Sequence, residues 1–362
     1  MDFDFSETQE QLRDAVRKWV DRAYSFDRRR AAARFVAFRD EVTAAPRWHR
    51  EFFTEHPVLA RLVRQLVQQW VLHAGTMMRR FDQDRDELVK GLDIQRETLG
   101  RVQAIHGPLG DVHRRGEAVC LLEFDSGARI IYKPRSVSPE RMFGRGLAWF
   151  ASRGVAPIVE SPRVLDYSSY GWCAYIEPAE CDSPDAVERF YKRFGVQLCL
   201  LYMFGARDVF ADNVLASGEH PCLHDLECLI AYDRGTTDTR PAAVAASALL
   251  RGSVLSIGIL PQRARGNDLE SGVNIGALHS TAGLSSSIPR LWRIVRAADS
   301  HLPTVDGRRI GIEGFEDAFV SGFSQAYRTV LQFRDDWTRP GGLLEELAHV
   351  DSRVLVRSTS DY

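Results

Sequence analysis

Lys133, Asp208, Asn213 and Asp225 are residues whose types and spacing could do chemistry together. Asp208 and Asn213 stand five apart in "RDVFADN", and Asp225 follows twelve residues after Asn213. Phosphoryl transfer needs a cation on the nucleotide phosphates, oxygen ligands for magnesium and a carboxylate that aligns the acceptor hydroxyl. A strand lysine, an Asp, an Asn and a second Asp supply those parts in that order along the chain. A lone strand lysine is usually a solvated surface residue, but four matching positions behind an apolar helix reverse that reading. Glu227 lies two beyond Asp225, so on a strand it shares that face and is a further acidic ligand or a supporting partner. Glu140, in the segment after Lys133, reads either as the lysine's ion-pair partner or as an exposed Glu on a first helical turn.

Two further constellations carry a weaker signal. Asp111-x-His113, in "GPLGDVHRRGEAV", sits where a phosphate-covering loop would lie. A carboxylate holding an imidazole is acid/base equipment, and is equally a surface capping motif. At the chain's end, Arg353 and Thr359 are six apart in "RVLVRST", so an extended strand would put them on one face. A guanidinium and a hydroxyl suit a departing phosphate, and a solvated edge strand suits the same residues.

The elements that must position these groups follow from periodicity. In "HPVLARLVRQLVQQWVLHAG", Leu59, Leu62, Val63, Leu66, Val67, Trp70 and Val71 recur at helical spacing and leave Arg61, Arg64 and Gln68 outside. Residues 1–105 therefore read as a helical region. "GEAVCLLEFDSGARIIYKP" is a hairpin around Asp125-Ser126-Gly127 that delivers Lys133 at its end. A helix follows, with Ser138 as candidate N-cap and Pro139 in its first turn. "RVLDYSSYGWCAYIEPAE" predicts another strand pair, and Ser183-Pro184-Asp185 opens a buried helix that runs into the Asp208 loop. Segments 253–261 and 266–310 read as loops between short helices, and a last helix covers 314–334. The fold class is α+β: a helical region over 1–105, a β-rich lobe over 106–182 and a mostly helical lobe over 183–362.

Bulk properties narrow the classes. The chain has 362 residues, 44% apolar and 27% charged, with a net charge of −2. That is globular composition, with no basic footprint for nucleic acid. No apolar run approaches the roughly 20 residues of a membrane span, and the acidic start is not an export signal. The six Cys form no CxxC pair and read as reduced fillers in a cytoplasmic protein.

Three segments together carry a resemblance: "GDVHRRGEAVCLLEFDSGARIIYKPRS", "FYKRFGVQLCLLYMFGARDVFADNVLASGEHPCLHDLECL" and "SRVLVRSTSDY". They resemble the dehydratase domain of type II lanthipeptide synthetases, the LanM family, in the same order from about Pro46 to the last residue. The resemblance implies a bilobal, lipid-kinase-like core that phosphorylates Ser and Thr of a precursor peptide with ATP and magnesium. The phosphate is then eliminated to give dehydroalanine or dehydrobutyrine. It assigns Lys133, Asp208, Asn213, Asp225 and Glu227 to the kinase positions. Lys133, Asn213 and Asp225 face the nucleotide there, and Asn213, Asp225 and Glu227 face magnesium. Asp111, His113, Arg353 and Thr359 fall on the elimination positions, useful only once a phosphopeptide exists.

Two departures accompany the match. The family pattern after the catalytic Asp is Asp-x-His-x-x-Asn, and Phe210 stands where the His belongs. A Phe neither bonds phosphate nor shuttles a proton. The family dehydratase also continues, followed by a zinc cyclase domain, so the large lobe is expected to be incomplete at Tyr362. A kinase without lyase activity, or a catalytically dead fragment that binds leader peptide or nucleotide, are the rival readings.

Overall fold

The computed structural model describes residues 52–94, 99–110, 112–113, 116–231, 241–261, 263–264, 273–274, 276–279 and 300–354. The chain divides into two compact units, 1–71 and 72–362. Helix α1, Pro57–Gly91, has the long run of good helix formers that its periodicity predicts. Its first half keeps the apolar stripe exposed: Leu66, Trp70 and Val71 all lie open. Its second half buries His73, Met77, Phe81, Asp84 and Leu88, a three-to-four-residue period.

The β-rich part is one antiparallel sheet. It consists of β1 (Val102–His106), β2 (Cys120–Phe124), β3 (Arg129–Lys133), β4 (Val164–Asp166) and β5 (Gly171–Ala174), in the order β1-β2-β3-β5-β4. β1 corrects the helical reading of the segment up to residue 105. Val102 and Ile105 carry the β-branched pattern, and pairing with β2 decides the conformation. The hairpin forms as read: Phe124 N donates to Ala128 O at 3.0 Å, and Gly127 takes the positive φ of 79° that its turn needs.

Register then sorts the faces. Cys120 opposes Tyr132, Leu122 opposes Ile130, and Tyr132 opposes Trp172. These side chains pack with Met77, Phe81 and Leu88 of α1 into one core. Asp84 is buried there and accepts from Trp172 Nε1 at 2.7 Å and Tyr170 Oη at 3.2 Å. Because side chains alternate along a strand, Lys133 points to the opposite face. It sits across from Gly171, whose missing side chain leaves room for Val137.

A second core lies beyond that face. Helix α2 (Ser138–Ala151) contributes Met142, Phe143, Leu147 and Phe150. Helix α3 (Pro184–Phe204) is buried along most of its length. Ser183 caps it by accepting from Ala186 N at 3.3 Å, and Gly205 ends it with φ 75°. The cap of α2 differs from expectation. Val137 holds the N-cap position, and its N–H is taken by Asp166 of β4 at 3.0 Å, while Ser136 Oγ accepts from Ser138 N at 3.1 Å.

After α3 come a 3-10 turn (Ala211–Asn213), the hairpin β6 (Val214–Ser217) and β7 (His220–Leu223), then helix α4 (Pro241–Arg251). Among the described residues between α4 and the last helix are a 3-10 turn (Val254–Ser256) and two short antiparallel pairs, β8 (Arg263–Ala264) with β9 (Val273–Asn274) and β10 (Thr304–Val305) with β11 (Arg308–Arg309). All but β8 fall in the stretches read as loops between short helices. The expected last helix is α5 (Glu316–Gln332), and two short helices that the sequence did not suggest follow, α6 (Arg334–Thr338) and α7 (Leu343–Leu347).

α3 and α5 meet at paired glycines. A Cβ on Gly195 would lie 1.9 Å from Phe319 O, and one on Gly322 would lie 1.9 Å from Lys192 O. Backbone cannot yield as a flexible side chain does. Gly195→Ala or Gly322→Ala is expected to destabilise the protein by about 1–3 kcal/mol in urea unfolding. Gly75→Ala, in α1 with nothing within 4 Å of its Cβ position, should instead gain up to about 1 kcal/mol. Equal effects at Gly195 and Gly75 would contradict the close crossing.

Candidate functional site

The site begins where β3 ends. Pro134 has no N–H for the ladder, so the chain leaves the sheet directly after Lys133. The turn brings Arg135 beside it and leads into the first turn of α2, where Glu140 faces inward. Lys133 and Glu140 are each only 4% exposed, and Lys133 Nζ donates to Glu140 Oε1 at 2.9 Å. Of the two readings of Glu140, the buried partner is therefore the correct one. Arg135 grips the same carboxylate with both arms, Nη2 to Oε1 at 2.7 Å and Nη1 to Oε2 at 3.2 Å. Burial alone would raise the Glu140 carboxyl, but Arg135 and Lys133 hold it well below the usual range. Burial likewise works against the Lys133 ammonium, but Glu140 and Asp225 together oppose that effect and the net shift is upward, so Lys133 stays charged.

The Asp208 loop meets this pair from the other side. Lys133 Nζ also donates to His224 O, the carbonyl just before Asp225. Arg135 Nη2 donates to Asp225 Oδ1 at 2.6 Å, and its Nε lies 3.7 Å from Glu227 Oε2. Arg353 pairs with Glu227 through its side chain, and its N–H donates to Glu227 O at 2.6 Å. Three cations thus face three carboxylates in one continuous network.

Asp208 stands at the loop's turning point with φ 64°, a conformation Asp and Asn tolerate better than most residues. Backbone and side-chain bonds fix it. Asn213 Nδ2 donates to Asp208 O at 2.7 Å, Asn213 N to Phe210 O at 3.0 Å, and Val209 N to Ile257 O at 2.9 Å. Phe210 lies over Gly258, where a Cβ would come within 3.0 Å of its ring. The aromatic fills space there and leaves the shape of the loop to the hydrogen bonds.

Residues 56–362 match the family described as a domain of unknown function, DUF4135. The chain belongs to that family. It is also similar to the lacticin 481/lactococcin biosynthesis protein LcnDR2 of Lactococcus lactis subsp. lactis. The two are 24% identical over 352 residues, covering 91% of this chain and 37% of that protein. The chain therefore spans little more than a third of the length of that relative.

In this DUF4135 chain the structure gathers Lys133, Asp208, Asn213, Asp225, Glu227 and Arg353. His113 is exposed in a tight turn, its N–H donating to Glu117 O at 2.8 Å, and none of the network's bonds reaches it. Asp111 and Thr359 lie outside the described residues. Residues 351–354 are assigned to no strand, and the rest of the stretch read as extended, up to Thr359, lies outside the described residues. Their bonds run instead to the loop, with Ser352 Oγ 2.8 Å from Ile230 O. Arg353 is thus joined to the network through Glu227. Arg135 is the residue of this network that the spacing argument missed, although a second cation directly after "KP" was its available signal.

Asn213, Asp225 and Glu227 are oxygen donors of the kind magnesium takes beside phosphates, where one or two carboxylates suffice. Among the described residues no group of three or more His, Cys, Asp or Glu side chains converges as a metal site. Here both carboxylates carry guanidinium groups.

Burial, and then the carboxylates of Asp212, Glu227 and Asp225, push the Asp208 carboxyl up to about 6. An unfolded Asp titrates near about 3.9, so the folded chain holds this proton longer. Stability should therefore fall as pH rises from about 4 to about 6 and stay level above that. Asp208→Asn removes the fall. Relative to the parent, it should be more stable at pH 7 than at pH 4 by about 1–2 kcal/mol, allowing for solvent screening. Urea unfolding at both pH values reads the difference, and an identical effect of the substitution at pH 4 and pH 7 would contradict the assignment.

Proposed function

We propose that this chain acts in lanthipeptide biosynthesis, as an ATP-dependent dehydratase of Ser and Thr residues in a ribosomally made precursor peptide. The observation that carries the reading is the single network joining Lys133, Glu140, Arg135, Asp225, Glu227 and Arg353 beside the Asp208–Asn213 loop. The name of the LcnDR2 relative and the motif resemblance supply the substrate class. On this reading the five-stranded sheet with α2 is the small lobe of a kinase-like core, and α3 with the following loop and hairpin opens the large lobe.

Each residue has work suited to its position. Lys133, held charged by Glu140, binds nucleotide phosphate. Asn213, Asp225 and Glu227 offer oxygen atoms to magnesium, which when bound neutralises charge on the phosphates. Asp208 orients the peptide hydroxyl and accepts its proton as the hydroxyl oxygen bonds the γ-phosphorus and the bond to ADP breaks. A carboxyl titrating near 6 is ionised at neutral pH and closer in basicity to its task than an ordinary Asp. In the elimination that follows, the Cα proton leaves to a base, the Cβ–O bond breaks and phosphate departs. Arg353 stabilises the charge on that leaving group, with Asp111, His113 and Thr359 as the remaining candidates.

One observation favours a second reading, phosphorylation without elimination: His113 stands outside the network while the phosphoryl-transfer residues are joined. Product mass separates the two. Phe210→His should restore a polar group beside Asp208 and raise phosphate transfer to a Ser/Thr peptide by about tenfold, within the range that a positioned acid or base supplies. The parent given peptide, ATP and magnesium should yield a dehydrated product, lighter than the substrate by one water. Accumulated phosphopeptide supports the second reading. No mass change from either protein would sink both.

A further inference from the structure

Arg135 does something that neither the motif match nor the proposed chemistry asks of it. Its guanidinium sits where a cation for Asp225 and Glu227 would sit. It is not free to drift, because Glu140 holds both of its arms and Ser136 O accepts from Nη1 at 2.8 Å. Only one of its hydrogen bonds, from Nη2, goes to Asp225, and Nε merely approaches Glu227 at 3.7 Å. The grip on Glu140 is buried, whereas the Asp225 side chain is 38% exposed. The guanidinium can therefore release Asp225 toward solvent while keeping its anchor on α2. Among the three cations of the network, Lys133 is fully committed to Glu140 and His224 O, and Arg353 holds Glu227 from the far side.

We propose that Arg135 is a built-in counter-ion for Asp225 and Glu227, which gives up that place when a metal-bearing nucleotide arrives and turns onto its phosphates. This rests on reading the network as a nucleotide site and adds an order of events to it. A divalent cation at Asp225 must displace a like charge already bonded to the same carboxylate, so the metal alone binds poorly. With nucleotide present, the released guanidinium meets phosphate oxygens, for which its planar fork is suited, and its displacement is compensated. Metal and nucleotide then help one another to bind, and each does so by the same factor. The site would thereby avoid loading metal without nucleotide.

The test uses the full chain, Mn2+ as probe metal followed by its electron paramagnetic resonance signal, and a non-hydrolysable ATP analogue. Arg135→Gln removes the competing charge and keeps a polar side chain for Glu140. Arg135→Lys keeps a charge for Glu140 but cannot bond two carboxylates as a fork, and it decides on the same readings should the Gln variant not fold. Arg135→Gln is expected to bind Mn2+ alone about tenfold more tightly than the parent, and Arg135→Lys, which keeps its charge on Glu140 but gives up the fork to Asp225, more tightly by a smaller factor. They should also bind the Mn2+–nucleotide complex more weakly than the parent does, so that metal–nucleotide coupling shrinks. Unchanged or weaker binding of Mn2+ alone in the variants, with the parent still taking up Mn2+ and nucleotide together, overturns the counter-ion role and leaves the site reading intact. A parent that takes up neither Mn2+ nor nucleotide, separately or together, overturns the site reading and this proposal with it.

Discussion

Glu140 holds two cations at once, and the arrangement of the site depends on that. Its carboxylate is buried at the start of α2 and receives Lys133 from the end of β3 and Arg135 from the turn between them. A buried carboxylate with no partner is costly, as is a buried ammonium. Each is tolerable only because the other groups stand within hydrogen-bond reach, and removing one partner of such a set typically costs about 3–5 kcal/mol. The network therefore fixes the angle at which the chain leaves the sheet. It also sets the position of the Asp225 carboxylate, which Arg135 bonds, and of the loop carbonyl at His224, which Lys133 bonds.

From that constraint the surrounding elements acquire their roles. α1 covers one face of the sheet with apolar side chains and the Asp84 hydrogen bonds, which leaves the opposite face for Lys133. Asp166 takes the Val137 N–H at the head of α2, so the helix start that carries Glu140 is anchored to β4. α3, locked to α5 through Gly195 and Gly322, ends at Gly205 and sends the chain into the Asp208 turn. The last described residues close the circuit, since Ser352 and Arg353 bond the segment that carries Glu227. Three cations against three carboxylates leave the network close to neutral, and Asp208 beside it is raised first by burial and then by Asp212, a carboxylate outside the network.

Much of this was legible in the chain. The hairpin around Asp125-Ser126-Gly127, the delivery of Lys133, the Ser183 cap and the long buried helix before Asp208 follow from local signals: alternation, turn residues and capping. β1 was not legible, because its conformation is decided by pairing with β2, which local sequence does not encode. The apolar stripe of Leu66, Trp70 and Val71 showed a helix and its apolar face, but periodicity says nothing of what covers such a face. In the site, spacing found the carboxylates and the amide but passed over Arg135. Spacing rules rank residues by separation, and the value of Arg135 comes from reaching Asp225 across 90 positions. The same holds for Arg353 and Glu227, 126 positions apart.

The central claim is that these joined residues form one magnesium-dependent nucleotide site. Calorimetric titration of ATP into the full chain, with and without magnesium, in the parent and in Asp225→Ala, tests it most directly. The account predicts binding that requires magnesium and is weakened about tenfold or more when the Asp225 carboxylate is lost, the factor expected for one charged ligand of a metal site. Parent-like affinity in Asp225→Ala, or ATP binding indifferent to magnesium, would contradict it.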